Sequence, residues 1–189
     1  MNNYLKEIQQ VLRANSSEKN KAFFQKVVPG NQKTYGAKTP LLNELARRYK
    51  QGSFELAEDL WQSGALEERI IAIKIIERVG RTDAQRLLKM FRRFSKQIDN
   101  WAVCDGLGMQ LLRGLVKTHR CEIFEIAKKL NRSRDPWRRR LSLVMIEWYT
   151  REPRAHHDIK ALVKNLENDQ EYYVKKAVAW IKRNFKKSK

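Results

Sequence analysis

Asp105 stands where a carboxylate can do chemistry as well as pack. The stretch DNWAVCD (99–105) places Trp101 four residues earlier, one helical turn away on the same face. Further along, Trp137 precedes Arg140 by three residues, and Trp180 follows Lys176 by four. A carboxylate beside indoles and cations can stabilise an oxocarbenium-like sugar as a base departs, or orient the attacking water. Aromatic faces attract cations, positively charged alkylated purines among them. Arg and Lys grip phosphates. These are the parts needed to hydrolyse an N-glycosidic bond whose base is already a good leaving group. The plain alternative for Asp105 is an intramolecular salt bridge or a helix cap, and for Trp137 it is core packing.

The elements that must hold these residues are helices. Gly and Pro are few, 8 and 4 in 189 residues, and strand-like alternation is absent. Apolar periodicity predicts helices over 3–14, 18–28, 40–50, 53–62, 65–79, 82–96, 99–116, 121–131, 136–151, 156–167 and 170–186. Ser17 and Thr39 read as N-caps, the latter followed by a first-turn proline, Pro40. Pro29–Lys38 reads as the clearest loop. A repeat orders the helices. ERIIAIKII (68–76), CDGLGMQLL (104–112), RRLSLVMIE (139–147) and KKAVAWIKR (175–183) align, with second residues Arg69, Asp105, Arg140 and Lys176. Successive anchors are 36, 35 and 36 residues apart. A two-helix unit of that period predicts an all-α, HEAT-like helical-repeat solenoid of antiparallel helix pairs, one domain over 1–189. Its second helices would line a concave basic groove. Arg69, Arg140 and Lys176 then form a row of cations suited to a phosphate backbone, thickened by Arg139 and Lys175. Asp105 is the acid that breaks the row.

The totals agree with a polyanionic partner. Lys plus Arg number 40 against 21 Asp plus Glu, a net charge of +19 spread along the whole chain. That distribution favours nucleic acid over a membrane surface, where charge concentrates in one amphipathic segment. No apolar run approaches the roughly 18 residues of a membrane span. Two cysteines, Cys104 and Cys121, with a polar N-terminus, predict reduced thiols in a cytoplasmic protein. His119, His156 and His157 lack ligand spacing, so no metal site is expected. Cys104 is expected to be packed, Trp61 and Trp148 to be core, and Tyr172 and Tyr173 to be either DNA contacts or half-buried residues at a helix start.

At these residues the sequence resembles the AlkD-type DNA alkylation repair glycosylases, over nearly the whole chain. FFQKVVPGNQKTYGAKTPLLNELAR (23–47) is similar to the family's second helix, a variable loop and a G-x-x-T-P start to the next helix. LWQSGALEERIIAIKIIER (60–78), DNWAVCD (99–105), DPWRRR (135–140) and VKKAVAW (174–180) are similar to its later motifs, in order. The resemblance implies a monomer that cups duplex DNA and excises N3- and N7-alkylated purines without a cofactor. It implies that Asp105 is the catalytic aspartate, that Trp101 and Trp180 cradle the lesion nucleotide, and that Arg140 contacts DNA. A family aromatic on the second helix falls on Phe24 or on Phe23. The chain departs from the family by stopping soon after Trp180, where a further helical pair would serve as a capping repeat. The alternative reading is a non-catalytic HEAT-repeat protein that recognises distorted or branched DNA. A protein-interaction scaffold is disfavoured by the charge.

Overall fold

A computed structural model describes residues 3–30 and 33–187, with the side chains of 186 and 187 left aside. All regular structure among the described residues is helical. Residues 31 and 32, in the middle of the expected loop, lie outside the described residues. The chain groups into two compact units, 1–90 and 91–189.

The first unit holds α1 (Asn3–Ala14), α2 (Glu18–Val27), α3 (Thr39–Arg48), α4 (Ser53–Gln62), α5 (Leu66–Val79) and most of α6 (Ala84–Phe94). α5 is its centre. Ile71, Ala72, Ile73, Ile75 and Ile76 are all buried, so the helix is apolar on most of its circumference and has neighbours on several sides. α3 and α4 pack on it, and α1 packs on α4. Trp61 is fully buried, as expected for core.

α2 is different. None of its side chains is buried, and Phe23 is 59% exposed. Its cap is the expected one, since the Ser17 hydroxyl accepts from the Asn20 N–H. What docks it is the segment 33–37. Tyr35 C=O accepts from Ser17 N–H at 3.0 Å, and Gly36 C=O accepts from the Asn20 amide at 2.9 Å. That segment is in turn fixed to the start of α5. The buried Glu67 carboxylate accepts from the N–H groups of Tyr35, Gly36 and Ala37 and from the Thr34 hydroxyl, at 2.8–3.1 Å. Glu68, also buried, accepts from the Tyr35 hydroxyl at 2.6 Å and from Gln9 at 3.2 Å. Burial and the neighbouring Glu68 push the Tyr35 phenol well above its ordinary pKa, so it stays a donor. Residues 35–37 of the expected loop are therefore a strap with their backbone donors satisfied.

Thr39 is the first residue of α3 rather than its cap. Lys38, in extended geometry, takes the cap position without a side-chain bond, and Pro40 occupies the first turn. Neither of the first two helical positions needs an intrahelical donor, so the proline costs nothing at either.

The second unit contains α7 (Trp101–Asp105), α8 (Arg120–Asn131), α9 (Pro136–Val144), α10 (His156–Asn165) and α11 (Tyr172–Lys187). Asn100 caps α7 through Val103 N–H, and Asp135 caps α9 through Trp137 N–H with Pro136 next. α9 packs against α7, α8 and α11. Several polar contacts here span 33 to 37 residues of sequence. Arg140 reaches Asp105 across 35 residues, Tyr149 reaches Val116 across 33, Asn165 reaches Asn131 across 34, and Asn184 reaches Glu147 across 37. Those separations lie near the 35 to 36 residues between the anchors read from the sequence.

Two expected helices are not continuous. The predicted helix 99–116 is α-helical only to Asp105, then π over Gly106–Gln110 and 3₁₀ over Leu111–Leu115. The physical reason lies in Gly106 and Gly108, which give the backbone freedom, and in how closely the next repeat approaches. A Cβ on Gly108 would lie 2.6 Å from Val144 Cγ1 and 3.0 Å from Met145 N. The predicted helix 136–151 likewise stops at Val144 and resumes as 3₁₀ over Glu147–Arg151. Its aromatics satisfy carbonyls that the irregular stretch leaves over: Trp148 Nε1 donates to Met109 C=O at 3.2 Å, and the Tyr149 hydroxyl to Val116 C=O at 2.7 Å. Trp148 is thus half-buried and hydrogen-bonded rather than core. Replacing Gly108 by Ala is expected to cost about 1–3 kcal/mol by overpacking. Chemical denaturation measures it, and an unchanged midpoint would refute the close approach.

Candidate active site

Asp105 is the last residue of α7, where the α-helical pattern gives way to the π turn. Turns of that kind occur often at functional sites, because they re-aim a side chain without breaking the helix. Arg140 lies on α9 and is only 7% exposed. Its guanidinium takes the carboxylate by two nitrogens. Nη2 donates to Asp105 Oδ1 at 2.8 Å and to Oδ2 at 3.1 Å, and Nε donates to Oδ1 at 3.2 Å. The remaining nitrogen, Nη1, donates to Tyr173 C=O at 2.8 Å at the start of α11. One buried cation therefore ties α7, α9 and α11 together through a fork that a lysine could not reproduce.

The Asp105 side chain keeps 34% of its surface exposed. It is fixed on the inside and open on the outside, as a group that acts on an external molecule must be. Burial pushes its pKa above the ordinary aspartate value, while the charge and hydrogen bonds of Arg140 pull the other way and only partly offset it. Cys104, next in the chain, is fully buried with Sγ 3.8 Å from Trp137 C=O. Burial, with the Asp105 charge adding to it, drives that thiol far up, so it is packing and not a nucleophile.

Trp101 opens α7 and Trp180 lies on α11, both half-buried, on two helices that pack against α9. Trp137 is half-buried and stacks on Tyr173 at 4.9 Å. Arg139 binds the Asp169 carboxylate at 2.6 and 3.2 Å. Lys175 is exposed, with Nζ 3.5 Å from Gln170 Oε1, and Lys176 places its ammonium 5.1 Å from the Tyr172 ring centre. In the first unit, Arg69 lies over the Trp61 indole at 5.3 Å. Phe24 is half-buried and meets the exposed Phe23 ring at 6.0 Å. The residues brought into direct contact are thus Asp105 and Arg140, with Tyr173 as a third partner. The sequence pattern pointed to the first two; it singled out Tyr173 for its ring, half-buried at a helix start as one of its two readings had it, whereas the residue meets Arg140 through its backbone. Among the described residues no group of three or more His, Cys, Asp or Glu could hold a metal ion.

The family model described as DNA alkylation repair enzyme matches residues 8–189, nearly the whole chain. The chain belongs to that family. It is accordingly an enzyme of DNA alkylation repair, with DNA as its substrate. A comparison with curated proteins finds no matching sequence.

Proposed function

We propose that this repair enzyme is a monofunctional DNA glycosylase that hydrolyses the N-glycosidic bond of positively charged N3- or N7-alkylated purines in duplex DNA. The observation that carries the reading is the Asp105 carboxylate, clamped by Arg140 on one side and open on the other. An alkylated purine is cationic and departs neutral, so positive charge moves from base to sugar as the bond breaks. A fixed carboxylate stabilises that sugar cation and orients the water that captures it. No acid is needed to protonate the leaving base, and a single carboxylate suffices. Within the second unit, Trp101 and Trp180 would cradle the cationic nucleotide, and Lys175 and Lys176 would meet phosphates. The exposure of Lys175 and Lys176 suits them to that task. Arg140 serves the carboxylate first, by holding it in place.

The test is release of methylpurines from methylated duplex DNA by the wild-type protein; no release of any alkylpurine would sink the reading in favour of DNA binding without base excision. The pH dependence adds a check on Asp105. The carboxylate must be ionised to act, so base release rises with pH as Asp105 loses its proton. Because burial raises its pKa, the acid limb lies above the ordinary aspartate value. In Arg140→Gln the limb moves further up, since the cation that favours the carboxylate is gone. A limb that does not move with that change would dissociate it from Asp105.

A further inference from the structure

Tyr172 opens α11 and is 60% exposed. A single exposed tyrosine is ordinary surface, but this ring is held in place. Tyr173 meets it at 5.0 Å and 82°, Tyr173 itself stacks on Trp137 at 4.9 Å and 30°, and the Lys176 ammonium lies 5.1 Å from the Tyr172 centroid. The three aromatics step outward from half-buried Trp137 to exposed Tyr172. Their middle member is anchored by the Arg140 bond to its carbonyl, and Arg140 is the residue that clamps Asp105. On α11, Tyr172, Lys176 and Trp180 follow at intervals of four and form one stripe. A chain of ring contacts and hydrogen bonds thus links the exposed ring to the candidate catalytic acid, and the cation Lys176 lies against it.

We propose that Tyr172 is a stacking platform for an unstacked nucleobase of the bound DNA, with Lys176 meeting the phosphate beside it. Stacking on an aromatic face accepts any base, needs no enclosed pocket and gains from an adjacent cation. A tyrosine already held by its neighbours loses little conformational freedom on binding. The site would hold the duplex in a locally opened state while Asp105 faces the damaged nucleotide. The proposal rests on the reading of the Asp105 face as the one that meets DNA.

The experiment compares a fully paired duplex with one carrying a single bulged 2-aminopurine, whose fluorescence falls when it stacks. Affinity and quenching are measured for wild type, Tyr172→Ala, Tyr172→Phe and Tyr172→Leu, each checked for helicity and melting temperature. Wild type is expected to bind the bulged duplex about tenfold tighter than the paired one, within the range for stacking one base, and to quench it. Tyr172→Ala loses that preference and the quenching while its affinity for the paired duplex changes less than about twofold. Tyr172→Phe keeps both, and Tyr172→Leu keeps neither. Retained preference and quenching in Tyr172→Ala overturn the platform alone, as does a leucine equal to phenylalanine. If wild type binds neither duplex, the reading of the Asp105 face fails, and the platform with it.

Discussion

Asp105→Asn is expected to lower the rate of base release by about 10²–10³-fold, or roughly 3–4 kcal/mol in the barrier. Asparagine has nearly the same shape, and its oxygen can still accept from Arg140 Nη2 or Nε, which now donate at 2.8 and 3.2 Å. What it lacks is the full negative charge facing the sugar. The loss therefore falls on the chemical step and not on binding. Affinity for duplex DNA is expected to stay the same or improve, because one repulsive charge is removed from a protein of net charge +19. Stability falls modestly, by about 1–2 kcal/mol, because the Arg140 charge is left less well matched. Single-turnover release of methylpurine, measured beside DNA affinity and the denaturation midpoint, separates these effects. Full activity in the variant would remove Asp105 from the mechanism, and a parallel loss of affinity would make it a binding residue.

The part of this site legible in the sequence is the part that follows from period. Asp105 and Arg140 stand 35 residues apart at aligned positions of the sequence, and their side chains meet. An acid and a base at neighbouring positions are candidates to pair, and the salt bridge had stood as the plain alternative for Asp105. The pairing gives Arg140 two tasks, one toward the carboxylate and one toward Tyr173 C=O, neither of which is a phosphate. Side-chain type cannot signal a backbone acceptor, so the sequence singles out Tyr173 for its ring and not for the carbonyl that meets Arg140. The change from α to π at Gly106 was also out of reach, since periodicity averages over a turn and does not register one extra residue in it. Gly106 and Gly108 were the available signal. Glycines inside an apolar helical pattern mark a place where another backbone comes close, and here Val144 and Met145 do so. The irregular stretch then needs donors, and Trp148 and Tyr149 arrive from the next repeat to supply them. Trp148 was expected in the core because its indole is apolar by area; its N–H decided the outcome.

Gly36→Ala is expected to destabilise the protein by about 4 kcal/mol, well beyond the usual effect of adding a methyl group. Gly36 has φ of +72°, a left-handed geometry that costs an L side chain about 1–2 kcal/mol. Its Cβ would also fall 2.4 Å from Ser17 C=O and 2.8 Å from Lys21 N, both backbone atoms in the first turn of α2 or at its cap. Backbone cannot rotate aside as a side-chain tip can, so the strap must withdraw. Withdrawal strips donors from the buried Glu67 carboxylate, which now accepts from Gly36 N–H at 2.8 Å and from Ala37 N–H at 3.1 Å, and each buried bond lost costs about 1–3 kcal/mol. It also frees α2, none of whose side chains is fully buried and which carries Phe24. Gly64 supplies the control. It too is left-handed, at φ +80°, but a Cβ there meets nothing within 4 Å. Gly64→Ala is expected to show the backbone cost alone, about 1–2 kcal/mol. Denaturation midpoints of the two variants give the difference between strain and collision directly. Equal losses at the two glycines would show that the strap yields freely, and that α2 is held by something other than Glu67 and the loop it gathers.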